Sequence, residues 1–122
     1  MNTKKVGDSG EAFAAEYLAG KGLSILERNY RTPMGEIDLI AQDGRELVFV
    51  EVKTRKSERY GQPALAVGPE KQRRILRAAV WYTSKRQGEL PPCRFDVVEV
   101  YAPEDGAWSL RHLEGAFEAQ GL

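Results

Sequence analysis

A chain of 122 residues and 13.7 kDa, 42% hydrophobic and 30% charged, supports one compact domain over residues 1–122 and excludes two independent cores, extended disorder and collagen-like repeats. The single Cys93 and single His112 exclude an internal disulfide, a cysteine-based zinc cluster and any motif of paired histidines, and no apolar run at the amino terminus suits a signal peptide or membrane span, which points to a cytoplasmic protein with no membrane partner. Basic and acidic residues number 18 each, but they run 6 against 9 in residues 1–52, 10 against 2 in 53–86 and 2 against 7 in 87–122, so the middle block carries the electrostatic footprint of a protein that meets phosphate backbones.

Asp8 and Ser9 offer N-cap oxygens to a helix over Ser9–Lys21, which is alanine-rich, carries Phe13, Tyr17 and Leu18 at helical spacing and is closed by Gly22. Leu23–Tyr30, Glu36–Ala41 and Glu46–Lys53 are short runs rich in Ile, Leu, Val and Phe, and Gln42-Asp43-Gly44-Arg45 is a hairpin signal between the last two. Three consecutive strands are expected. Thr54–Gly68 lacks periodicity and contains Gly61 and Pro63, so it reads as a long loop of the kind that carries function. Pro69 at the first helical position and Glu70 in the opening turn start a second helix running to Arg86. Arg94–Tyr101 reads as a fourth strand, Trp108–Leu113 as a fifth, and the last residues as a short terminal helix.

The third strand alternates Leu47, Phe49, Glu51 and Lys53 on one face with Val48, Val50 and Val52 on the other. Both faces are apolar until its end, as in a central strand, so a carboxylate and an ammonium there need polar company to offset desolvation. A turn centred on Asp43-Gly44 sets Ile40 opposite Leu47, Asp38 opposite Phe49 and Glu36 opposite Glu51, which makes Asp38 a diagonal neighbour of Glu51 on the same face. Glu11 shares the helix stripe of Ala14, Ala15 and Leu18 and is a candidate third carboxylate. Converging carboxylates repel unless a cation holds them ionised, and oxygen ligands without His or Cys suit Mg2+ or Mn2+. Asp38, Glu51 and the Val52 carbonyl form a partial octahedron. Lys53 then orients or deprotonates the attacking water, or neutralises charge developing on the phosphorane.

Asp38 followed after twelve residues by Glu51-Val52-Lys53 resembles the D…(D/E)-x-K signature of restriction-endonuclease-like nucleases. More closely, Gly10-Glu11…Ala14…Tyr17-Leu18, Gly35-Glu36-Ile37-Asp38-Leu39-Ile40, Val48-Phe49-Val50-Glu51-Val52-Lys53-Thr54-Arg55, Gly61, Lys71 and Arg94-Phe95-Asp96-Val97-Val98 resemble the bacterial YraN family, itself similar to archaeal Holliday junction resolvases. The resemblance implies an α/β restriction-endonuclease-like core, a mixed β-sheet flanked by helices in the order αβββαβ. It matches Glu11, Asp38, Glu51 and Lys53 to the nuclease's helix carboxylate, two metal ligands and lysine, with Ile37 where a proline often precedes the aspartate. The implied activity is metal-dependent hydrolysis of phosphodiesters in structured nucleic acid, DNA ahead of RNA and branched DNA among the candidate substrates, with a homodimer as one option by analogy to resolvases.

Arg55, Lys56, Arg59 and Tyr60 lie on the loop leaving the expected site, close enough in sequence to hold a backbone beside the metal, and the resemblance implies that Lys71 at the start of the second helix faces the site. Arg73, Arg77 and Trp81 form one stripe of the second helix and Ile75, Ala78, Ala79 and Tyr82 the core stripe, with Trp81 read as a packing residue rather than a base-stacking platform. His112 and Cys93 are assigned no chemistry. Two other readings remain: a nucleic-acid-binding module of the same fold with an inactive site, and an assembly factor docking a basic partner through the acidic stretch Glu99–Glu118.

Overall fold

The structure, a computed structural model, describes residues 3–56, 67–86 and 88–118, with side chains from residue 9 onward. Two helices and five strands follow in the order α1 (Thr3–Gly20), β1 (Ser24–Thr32), β2 (Gly35–Asp43), β3 (Glu46–Arg55), α2 (Pro69–Ser84), β4 (Cys93–Tyr101) and β5 (Ser109–Phe117). The strands form one sheet in sequence order, antiparallel except where β4 lies parallel to β3 after the α2 crossover. This is the expected mixed α/β core, with β5 added at one edge.

The helices cover opposite faces. Ala14, Ala15 and Leu18 of α1 pack on Leu39, Ala41, Val48, Val50, Val98 and Val100, while Ile75, Leu76, Ala78 and Ala79 of α2 pack on Ile40, Leu47, Phe49, Phe95 and Val97. The central strand β3 is therefore apolar on both faces, with the expected alternation. Gly22, at a φ of +101°, closes α1: its N–H bonds to Ala19 O and that of Leu23 to Leu18 O, the paired bonds of a Schellman stop.

Three expectations are corrected. Helix α1 begins at Thr3 instead of at an Asp8-Ser9 cap, so Gly10 lies inside it. A Cβ on Gly10 would stand 2.0 Å from Thr54 Oγ1, so the bare glycine lets α1 lie against the end of β3. That tertiary contact outweighs the local capping signal. The β2–β3 hairpin turns on Gly44-Arg45, with Gly44 at a φ of +62°, which pairs Asp43 with Glu46, Gln42 with Leu47 and Ile40 with Phe49. The register is thus two residues from the expected one, and because the slip is even the paired residues Leu39 to Asp43 keep their faces. Finally, β5 runs on past the expected Leu113 to Phe117 through a bulge at Gly115, at a φ of +60°; the residues after 118, toward which the terminal helix was expected, lie outside the described residues. Helix α2 ends at Ser84, and Thr54 and Arg55 belong to β3; Arg59, Tyr60, Gly61 and Pro63 of the expected loop lie outside the described residues.

A two-carboxylate cleft at the end of the sheet

The β2–β3 ladder stops at Leu39 and Val50, just before the acidic residues. On β2, Ile37 and Ile40 belong to the α2-side core but Leu39 and Ala41 to the α1 side, so strict alternation slips by one residue at Asp38. Asn29, in line with Asp38 on β1, sits at a φ of +50°, which breaks the neighbouring ladder at the same level. The Asp38 carboxylate takes the place of a ladder partner by accepting the Val52 N–H at 2.8 Å. It consequently stands level with Glu51, not diagonal to it, and the two carboxyls are close enough to share a hydrogen bond.

Glu51 is only 5% exposed. Its Oε1 receives the Lys71 ammonium at 2.5 Å, and Lys53 Nζ lies 4.0 Å from the same oxygen. Burial, then the charge of Glu51, pushes Asp38 up to about 8 against the opposing Val52 hydrogen bond, with Glu11 adding to the rise. Glu11 of α1 thus acts on Asp38 even though α1 covers the other face. Burial and the adjacent Lys71 ammonium pull Lys53 below its ordinary range. Lys71 moves the other way: burial opposes its charge, but the hydrogen bond and attraction of Glu51 outweigh it.

Asp38, Glu51 and Lys71 line a cleft of about 310 Å³ with Gly35, Glu36, Arg74 and Ile75. Arg74 was not singled out from the sequence. It follows Lys71 by one helical turn and packs beside Gly35, where a Cβ would stand in ordinary contact with Arg74, 3.4 Å from its Cβ and 3.5 Å from its carbonyl oxygen. Glu36, expected opposite Glu51, instead pairs across β1 with Arg31 at 3.8 Å.

The other expected contact residues divide. Arg73 and Arg77 are exposed on α2. Arg55 holds the buried Glu99 at 3.0 Å, and Lys56 lies 3.9 Å from Glu104. Trp81 is half-buried outside both core clusters, with Lys85 Nζ 4.3 Å from its ring centroid.

A second polar cluster, on the α1 face, escaped the sequence reading. Asp96, fully buried, accepts a two-pronged contact from Arg94 (2.9 and 3.1 Å), lies 2.7 Å from His112 Nε2 and accepts the N–H of Gly115 at 3.0 Å. These bonds outweigh burial and hold its carboxyl below the usual range. The signal was the placement of Asp96 among apolar neighbours in Arg94-Phe95-Asp96-Val97-Val98; His112, 16 residues away, has no local signature.

Comparison with known proteins decides the family, because residues 10–100 match the uncharacterised protein family UPF0102. The chain belongs to UPF0102. This is the YraN-like group to which the motifs pointed. Among its relatives, the UPF0102 protein of Symbiobacterium thermophilum is 53% identical over 96% of this chain and 99% of its own length. Those of Geotalea daltonii and Clostridioides difficile are 46% and 44% identical over 96% of this chain and 92% and 100% of theirs. Among the described residues of this UPF0102 chain, no helix is long and apolar enough to cross a membrane, and no three His, Cys, Asp or Glu side chains form a ready-made metal cage.

Proposed function

We propose that this UPF0102 protein is a divalent-metal-dependent phosphodiesterase acting on DNA, with branched DNA as the preferred substrate class. The observation that carries the reading is the forced proximity of Asp38 and Glu51, beside Lys53, in a cleft whose opposite wall carries Lys71 and Arg74. A buried carboxyl whose proton affinity is raised by burial and by a second carboxyl beside it is a poor structural group and a good cation ligand. Their donors are all hard oxygens, which fits Mg2+ or Mn2+. Asp38 and Glu51 would hold the ion, with the Val52 carbonyl and Glu11 as further oxygen donors. Bound there, it supplies Lewis-acid polarisation of a phosphoryl oxygen and acidifies a water.

The chain's own residues supply the rest. Lys53, its proton loosened by burial and by Lys71, releases that proton to solvent and, as the neutral amine, orients the attacking water and accepts its proton. Arg74 and Lys71 bind the non-bridging phosphate oxygens and stabilise the charge that builds on them. Arg73 and Arg77 steer the polyanion along α2.

Calorimetric titration of Mn2+ tests the centre: wild type binds the ion and Asp38→Ala does not. The pairing of Glu51 with Lys71, with no ready-made cage of three acidic side chains among the described residues, favours a second reading as a binding module. That protein would bind DNA with steep salt dependence and cleave none with any metal.

A further inference from the structure

The strongest contact in the cleft joins two groups that the phosphodiesterase reading needs for different partners. Lys71 Nζ rests 2.5 Å from Glu51 Oε1, an oxygen of the carboxylate that would hold the cation in that reading. Glu51 sits on a rigid strand and is 5% exposed, whereas the Lys71 side chain is 40% exposed, so of the two it is the lysine that can move. Lys71 also occupies the first turn of α2, two residues after Pro69 at the helix start. The positive end of a helix disfavours a cation and favours an anion. Its ammonium is therefore held there by Glu51, and a phosphate entering beside Arg74 offers it a second counter-ion at a place already suited to negative charge.

We propose that Lys71 is an exchangeable counter-ion that couples metal binding to DNA binding. It neutralises Glu51 until a DNA phosphate enters the cleft, then transfers to that phosphate next to Arg74 and releases Glu51 Oε1 to the divalent ion. The inference rests on the phosphodiesterase reading and adds to it a control: the centre loads fully only with substrate in place. Lys53 cannot substitute, because it is anchored on the same strand as Glu51 and lies 4.0 Å from the shared oxygen.

The experiment titrates Mn2+ calorimetrically into wild type, Lys71→Met, Lys71→Arg and Glu51→Gln, each with and without a phosphorothioate-linked DNA duplex that resists hydrolysis. Circular dichroism confirms that each variant is folded. Without DNA, Lys71→Met is expected to bind Mn2+ about tenfold more tightly than wild type, the scale of losing one charge-assisted hydrogen bond in competition. Lys71→Arg keeps the counter-ion and stays near wild type. DNA tightens Mn2+ binding more in wild type than in Lys71→Met, since only wild type has a cation to hand over. Equal or weaker Mn2+ binding by folded Lys71→Met, or an equal gain from DNA in both proteins, overturns the exchange and leaves the metal centre standing. No Mn2+ binding by wild type either with or without DNA, with Glu51→Gln indistinguishable from it, overturns the metal centre and the exchange together.

Discussion

Asp38 and Asp96 are carboxylates on neighbouring parts of one sheet, and they are treated in opposite ways. Asp96 has a guanidinium, an imidazole and a backbone N–H, and its proton affinity falls. Asp38 has one N–H and faces Glu51 across the strand pair, and its proton affinity rises. The first arrangement saturates a buried charge and in doing so fixes the Gly115 bulge of β5. The second leaves a charge incompletely compensated. A buried carboxylate that the fold satisfies serves the fold, and one that it leaves wanting a cation marks chemistry.

Exchanging these roles by mutation gives the largest expected effects. Asp38→Asn should abolish DNA cleavage, a loss of about a thousandfold or more if an essential ligand is removed, while at pH 7 it unfolds at a higher temperature than wild type, because the neutral amide does not repel Glu51. Asp96→Ala should do the reverse: it removes the buried acceptor shared by Arg94, His112 and the Gly115 N–H, while Arg94 keeps Asp43 and Glu46, and destabilises by about 1–3 kcal/mol, read by chemical denaturation.

The two residues also predict opposite pH slopes. Asp38 binds its proton more tightly folded than unfolded, so its contribution to stability is full below pH 4 and lost as pH rises through about 8. Asp96 binds its proton less tightly folded, so its contribution is present above the unfolded value near 4 and lost as the pH falls below it. Unfolding free energy measured against pH should thus decline between pH 5 and 8 in wild type and flatten in Asp38→Asn, a difference of about 3 kcal/mol at the alkaline end. A decline that survives the substitution would assign the slope elsewhere.

Smaller effects sharpen the boundary of the site. Gly10→Ala places a methyl against Thr54 and should destabilise by about 1–3 kcal/mol as α1 backs away, displacing Glu11 with it. Arg74→Ala should weaken DNA binding with the salt slope reduced by about one unit, as expected for one lost phosphate contact. Arg77→Ala, on the exposed stripe, should change affinity less than Arg74→Ala in the same titration.

Glu51 and Lys53 were legible in the sequence because they end a run that is apolar on both faces, where a charge stands out against its neighbours. Asp38 was legible through hairpin parity, which survives an even slip. The register itself was not, since Asp43-Gly44 and Gly44-Arg45 are equally plausible turn centres until the φ of Gly44 is known. Arg74 looked like one more solvated cation on a basic helix; what selects it is the rotation of α2 against β2, which packs it beside Gly35. His112 was invisible for a similar reason, because its partner lies on another strand and the bulge that aligns them is a tertiary feature. Local periodicity carried the strands, the helical core stripes and the acidic pair, and long-range packing decided which cations join them.

The most direct test of the two-carboxylate centre is a cleavage assay on branched and linear DNA in Mn2+, comparing wild type with Asp38→Asn at equal folded concentration. Cleavage by wild type, faster on the branched substrate and absent from Asp38→Asn, is the predicted result. Equal cleavage by both proteins would contradict the assignment of Asp38, and cleavage by neither, with salt-dependent binding intact, would make the protein a binding module.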